Sequence, residues 1–225
     1  MTATAPVFSG FTTESIQFLA DLAMNNERSW FQPRKADYER LLKQPLEELC
    51  VVVDERFAAA GIPLRADPAR SPFRIYRDVR FSKDKSPYKT NISASFPYAA
   101  PGDPDAGGYF HFQPGNMYVG GGCWHPAPER LAAWRTAIDQ DPARVHGAVD
   151  DPSFVASFGE VGGERLKRVP TGYAADHPDA ELLKLKEVTF GRRLSDEEAL
   201  SPDLPDILAE AFRPAVPVMR LLAEL

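Results

Sequence analysis

Tyr109-Phe-His-Phe-Gln-Pro-Gly-Asn-Met-Tyr-Val-Gly120 is the stretch whose reading decides the fold. Phe110 and Phe112 alternate with Tyr109, His111 and Gln113, and Met117 and Val119 alternate with Tyr118 and Gly120. A period of two gives each segment one apolar and one polar face, the pattern of a half-buried strand. Between them, Pro114-Gly115-Asn116 supplies turn chemistry, so the two segments predict an antiparallel hairpin.

The alternation extends upstream. Ile92, Ala94 and Phe96 alternate with Ser93 and Ser95. In Phe73–Phe81, residues Phe73, Ile75, Val79 and Phe81 alternate with Arg74, Tyr76, Asp78 and Arg80, while Arg77 falls in phase with the apolar set. Ala99–Gly108, rich in Pro, Gly and Asp, reads as a loop between strands. The expected polar sheet face carries Arg74, Tyr76, Ser93, Ser95, Tyr109, His111, Gln113 and Tyr118.

Helical spacing dominates both ends. Thr12 is an expected N-cap, with Phe11 stapling onto Ile16 and Asn25-Asn26 closing the helix. A second helical stretch runs from about Lys35 to Phe57, with Pro45 expected to kink or restart it. Downstream, Pro126–Ile138 and Asp176–Lys186 have helical spacing, and Asp141-Pro142 and Asp151-Pro152 place an N-cap before a proline. Ser195-Asp-Glu-Glu198 fits a capping box, and Leu204, Leu208, Phe212, Ala215, Met219 and Leu222 form a last stripe. The fold class read from this order is α+β: an antiparallel β-meander of about four or more strands flanked by N- and C-terminal helices. The chain is read as a single domain over 1–225, with 1–7 as a flexible N-terminus.

Composition is that of an ordinary globular protein, 44% hydrophobic and 26% charged. Cys50 and Cys123 are too few for a disulfide framework, which suits a reducing cytoplasm. No apolar run approaches the roughly 20 residues that span a bilayer, and Met1–Pro6 lacks the features of a secretory signal. No membrane partner is expected. A net charge of −6 argues against broad nucleic-acid binding, but the charge is uneven. From Arg70 to Lys89 seven cations meet two anions, a local net of +5, which leaves −11 for the rest. Such a patch is where an anion would bind: a phosphorylated or carboxylated small molecule, or the phosphates of a nucleic acid.

Other chemistries find little support. No Gly-Lys-Ser/Thr follows Gly120-Gly121-Gly122, so the glycines read as close packing or a bend. Cys123 and His125 are too close in sequence for a usual nucleophile–base pair. His111, His125, His146 and His177 lack metal-ligand spacing, so no metal site is expected. No cofactor is identified.

Several elements together carry a resemblance: Asn25-Asn26 with Trp30-Phe31, Tyr76-Arg-Asp-Val-Arg-Phe-Ser-Lys-Asp-Lys-Ser-Pro-Tyr-Lys-Thr-Asn91, Gly108-Tyr109-Phe110, Gly120-Gly-Gly122, Leu166-Lys-Arg-Val-Pro-Thr-Gly-Tyr173, and His177-Pro178 with Leu182-Leu183-Lys184. Over about Phe8 to Leu222 the chain resembles the family called domain of unknown function 2461. The resemblance implies a single-domain soluble protein and supplies no activity, substrate, cofactor or catalytic residue.

The candidate ligand-binding residues are Arg74, Tyr76, Arg77, Arg80, Lys83, Lys85 and Lys89, joined by Lys167 and Arg168 if the second basic element folds beside the first. His111 and Tyr109 are the candidate proton-transfer groups. The expected role is a pocket for a phosphate- or carboxylate-bearing ligand. The alternatives are a nucleic-acid or nucleotide-binding module, with Tyr76, Tyr109 and Tyr118 stacking bases, and a protein-interaction module that uses the basic loop.

Overall fold

A computed structural model describes residues 7–99 and 106–225. The expected flexible N-terminus lies, Val7 apart, outside the described residues. Four strands, β1 (Ile92–Pro97), β2 (Ala106–Phe112), β3 (Tyr118–Cys123) and β4 (Val188–Arg193), form an antiparallel sheet in the order β1-β2-β3-β4. Helices α1 (Thr13–Met24), α2 (Arg28–Phe31), α3 (Lys35–Tyr38) and α4 (Gln44–Ala59) precede it. Helices α5 (Pro128–Gln140), α6 (Pro142–Val149), α7 (Pro152–Phe158) and α8 (Ala180–Leu183) separate β3 from β4. Helices α9 (Asp196–Leu200), α10 (Leu204–Phe212) and α11 (Val216–Glu224) follow it. The α+β meander is therefore present.

The hairpin β2–β3 forms as its sequence dictates. Asn116 N–H donates to Gln113 O at 2.9 Å, and Gly115, with φ +71°, takes the turn position that needs a left-handed backbone. Alternation then sorts the side chains. Ile92, Ala94, Phe96, Phe110, Phe112 and Val119 face the helices and are buried. Phe11 of the α1 entry packs on Phe112 (4.5 Å between ring centroids), Phe57 of α4 on Phe96 (5.5 Å), and Phe212 of α10 on both Phe57 and Phe96. Each such ring buried stabilises by roughly 1.5–3 kcal/mol.

The helix-end chemistry expected from sequence is in place. Thr12 caps α1 in a reciprocal capping box whose third position is Ser15, and Ser195 caps α9 with Glu198. Asp141 and Asp151 cap α6 and α7 ahead of their prolines. Pro45 breaks the second helical stretch by way of a π-turn at Glu39–Lys43. A proline cannot donate to the carbonyl four residues earlier. That carbonyl, Leu41 O, accepts instead from the buried Ser15 hydroxyl at 2.8 Å. Asn25 closes α1 at φ −131°, not in the left-handed conformation that its residue type suggests.

Several expectations are corrected. Phe73–Phe81 is not a regular strand. Phe73 and Phe81 are exposed, and of its four in-phase apolar residues Ile75 is the buried one. The out-of-phase Arg77 and the cations on both faces leave no continuous apolar side to bury. The fourth strand is β4, from a region read as helical. The expected Asp176–Lys186 helix shrinks to the single turn of α8, because its carbonyls are claimed from outside. Trp134 Nε1 donates to Leu182 O, and Arg135 donates to Leu183 O and Leu185 O, at 3.0–3.3 Å. The expected Ala99–Gly108 loop ends earlier, since β2 starts at Ala106.

His146 on α6 ties this region down. Its Nδ1 lies 2.7 Å from Asp150 Oδ2 and its Nε2 2.8 Å from Asp179 Oδ1. The Asp150 hydrogen bond, more than Asp179, favours the cation and raises its pKa. A raised folded pKa stabilises fully below the unfolded value of about 6.5 and loses that stabilisation as pH climbs through the raised value. The Tm deficit of His146→Gln relative to wild type should therefore be larger at about pH 6 than at about pH 8.5 in thermal denaturation.

Candidate functional site

All the core contacts above lie on one face of the sheet. Across the register, the other face reads in rows: Ser93, His111, Tyr118 and Arg193; then Ser95, Tyr109, Gly120 and Gly191; then Pro97, Gly107, Gly122 and Thr189. A polar aromatic end thus grades into an end whose two central strands carry only glycine. Gly122 has φ +116°, and a Cβ there would run into the Val188 carbonyl of β4, so the close approach of β3 to β4 requires glycine. The packing reading of this glycine run holds at that position.

A cavity of about 730 Å³ lies over this face. Phe73 and Lys89 wall it on the β1 side, Trp124 and Glu187 on the β4 side. Its floor carries a connected set of side chains. Tyr109 Oη is 3.1 Å from His111 Nδ1, and His111 Nε2 is 3.0 Å from Gln113 Oε1. Tyr118 stacks on His111 at 4.7 Å, and its ring lies 5.7 Å from that of Tyr109. Burial pushes the His111 pKa down against the opposing Gln113 hydrogen bond, so the ring is neutral at pH 7. Burial and then Tyr109 push the Tyr118 hydroxyl up to about 12. Ser93, 3% exposed, lines the cavity beside His111, and its hydroxyl meets no hydrogen-bond partner among the described residues. A buried polar group without a partner is rare enough to mark a place where something polar belongs.

Lys89 sits with its ammonium 5.1 Å from the centre of the Phe73 ring. Burial, followed by the neighbouring Arg74, lowers its pKa. Among the described residues no carboxylate pairs with it.

The basic stretch forms an ear on the β1 edge of the sheet. Phe73 N–H donates to Ser93 O and Ser95 N–H to Ser71 O, so residues 71–73 run along β1. The chain then folds back: Lys89 N–H donates to Ile75 O, and Arg77 N–H to Pro87 O. Asn26 clamps the returning leg, its amide accepting from Tyr88 N–H and donating to Tyr88 O, both at 3.0 Å. Within the ear three of the cations find partners locally. Arg77 pairs with Asp84, Arg80 donates to both carboxylate oxygens of Asp78 through Nε and Nη2, and Lys85 Nζ donates to Val79 O at 2.9 Å. The Arg80 hydrogen bonds depress the Asp78 carboxyl, and the Arg77 hydrogen bond, ahead of those from Ser86, depresses that of Asp84. Lys83 is exposed.

The second basic element lies elsewhere. Gly162 bridges Thr189 and Arg165 bridges Leu185, which places residues 162–168 on the β4 edge. Three strand spacings, roughly 14 Å, separate the two edges. Lys167 and Arg168 are exposed there and do not join the ear. Of the residues singled out from sequence, the structure brings Lys89, Tyr109 and His111 to one cavity, while Arg74, Tyr76, Arg77, Arg80, Lys83 and Lys85 stay outside its wall. Sequence reasoning missed Asn91, Trp124 and Thr189 in the lining, and the Asn26 clamp. Cys123 is buried on the helix side and His125 is exposed, so the two do not face one another across a site.

Among the described residues no cluster of three or more His, Cys, Asp or Glu is arranged to hold a metal ion, and no helix is long and apolar enough to cross a membrane. No curated protein and no solved structure matches the chain. A family model does, over residues 14–220, and it includes the ear, the hairpin and the cavity floor; the chain belongs to the family of conserved hypothetical proteins DUF2461.

Proposed function

We propose that the uncovered sheet face binds a small molecule bearing a phosphate or carboxylate, with Lys89 as its counter-ion. The observation that carries this reading is the Lys89 ammonium, half-buried in the cavity wall with no carboxylate beside it among the described residues. A desolvated cation is stabilised by an anion brought to it. The cavity volume is that of a site for a small ligand. Its aromatic walls would hold the ligand's body, and Ser93 its polar atoms. The continuous core supports a single domain, and having only two cysteines, both buried, is in keeping with a reducing cytoplasm.

The test is thermal shift and calorimetric titration against phosphate- and carboxylate-bearing compounds at two salt concentrations. Wild type should show salt-tolerant stabilisation. Lys89→Ala should bind at least roughly tenfold more weakly, the loss expected for one charged hydrogen bond. Unchanged binding by Lys89→Ala would remove the reading.

A second reading rests on the ear. Phe81 is 96% exposed, with Arg80 over its ring, and Tyr76 is 44% exposed. Exposed rings among Arg74, Lys83 and Lys85 suit stacking on single-stranded bases with cations along the phosphates. Binding of short oligonucleotides that falls steeply with salt, and that Phe81→Ala weakens, would favour it.

A further inference from the structure

We propose that the ligand of this cavity is bipolar: its anionic group meets Lys89 at one end, and an ammonium or other organic cation on the same molecule meets Trp124 and Glu187 at the other. This rests on the anion-binding reading above and adds the ligand's class.

The strand register places the second subsite. β3 and β4 pair so that Gly122 faces Thr189 and Cys123 faces Val188. One further step along the same register sets Trp124 opposite Glu187. Alternation turns this pair to the open face, as it does Gly122 and Thr189, while Cys123 and Val188 are buried. Both Trp124 and Glu187 accordingly line the cavity. Side chains directly opposite on neighbouring strands are within contact range. An indole ring and a carboxylate thus share the end of the cavity away from Lys89.

Neither group is used up by the fold. Tryptophan is highly buried on average, yet Trp124 is 68% exposed. His125 holds it there. The His125 ring lies 4.3 Å from that of Trp124, and His125 is the one non-glycine residue with positive φ, +51°, among the described residues. Such a backbone persists where its surroundings enforce it. The Glu187 carboxylate accepts from Glu164 N–H at 3.3 Å and pairs with no cation among the described residues. The adjacent Lys186 is taken by Glu164. An aromatic face beside an unpaired carboxylate attracts an organic cation through the ring quadrupole and the full charge together. The same pair repels an anion, so the two ends of the cavity also fix the ligand's direction.

The floor between the two ends is bare, since Gly107, Gly120 and Gly122 put no side chain there. Lys89 stands over Phe73, whose N–H donates to Ser93 O in the row of Tyr118. From Tyr118 to Trp124 the extended chain covers roughly 20 Å, which the two long charged side chains shorten by their reach. The ligand is therefore elongated, with its charges several bonds apart.

Calorimetry on the full chain tests it. The probes are 6-aminohexanoate, 8-aminooctanoate, triglycine, pentaglycine and 6-aminohexyl phosphate, each beside its N-acetylated form, which keeps the anion and removes the cation. At least one amino compound should bind roughly tenfold or more tightly than its N-acetylated partner, the gain expected of one charged hydrogen bond. Glu187→Gln should remove most of that difference and leave the affinity of the N-acetylated compound unchanged. This variant keeps an acceptor for Glu164 N–H and should melt with wild type. Trp124→Ala should weaken the amino compound more than its partner. If the members of each pair bind equally and both need Lys89, the cation subsite falls while the anion pocket stands. A preference for the amino compound that survives Glu187→Gln also overturns the inference. If no probe binds, this inference and the anion pocket fall together.

Discussion

Gly122→Ala should yield a folded but strongly destabilised protein. The backbone at Gly122 is at φ +116°, a region in which a Cβ is strained. The added carbon would sit on the Val188 carbonyl oxygen and 2.8 Å from Thr189 Cα. Both obstacles are backbone of β4 held in its ladder with β3, so neither can swing aside as a side chain would. Strain and overpacking each cost about 1–3 kcal/mol, so the sum is about 2–6 kcal/mol. That is a large part of an ordinary domain's stability. In a thermal melt it corresponds to a fall of roughly 4–24 °C. Gly147→Ala is the control. It lies within α6 with no heavy atom within 4 Å of the new Cβ, and should raise stability by about 0.5–1 kcal/mol. A Gly122→Ala protein that melts with wild type would mean that β3 and β4 can separate at little cost.

Asn26→Ala should be the most damaging polar substitution. Tyr88 is 1% exposed, and both its backbone N–H and its C=O are satisfied by the one Asn26 amide. Truncation leaves two buried groups without partners, at about 1–3 kcal/mol each. The expected loss is about 2–6 kcal/mol, a Tm decrease of roughly 4–24 °C. It should be accompanied by new protease cleavage within residues 77–87, because the clamp fixes the ear's returning leg. Asn26→Asp tests the geometry: it keeps the acceptor for Tyr88 N–H but sets a carboxylate oxygen against Tyr88 O, and should rescue little. Loss of stability without new cleavage in the ear would show that the clamp serves the core alone.

How much of this was legible in sequence depends on how local the cause was. The core of the β2–β3 hairpin was legible, since the pattern and turn of Tyr109–Gly120 lie within twelve consecutive residues, while the start of β2 at Ala106 was hidden in glycines. Caps at Thr12, Asp141, Asp151 and Ser195 were equally local. β4 was not legible, because Val188 and Phe190 are too short an alternation to compete with the leucines before it. Those leucines read as helix until the donors of Trp134 and Arg135, about 50 residues earlier in the chain, capture their carbonyls. At the site, Tyr109 and His111 were assigned to one face by period two alone. The ear was found by its charge, but charge could not say that Arg77 and Arg80 spend themselves on Asp84 and Asp78 while Lys89 turns inward. That distinction is tertiary.

The two chain segments that flank the sheet have a consequence for how copies of this protein meet. A strand edge with free N–H and C=O groups is a template for another molecule's edge. Here residues 71–73 occupy part of the outer side of β1, and Gly162 exchanges both of its backbone hydrogen bonds with Thr189 on the outer side of β4. Both guards are short, irregular and flanked by charge, so neither offers a new ladder in its turn. The basic ear thus also shields the sheet from self-association. Excising residues 74–88 to probe ligand binding would loosen the guard on β1 and expose a row of strand donors and acceptors to the next copy of the chain.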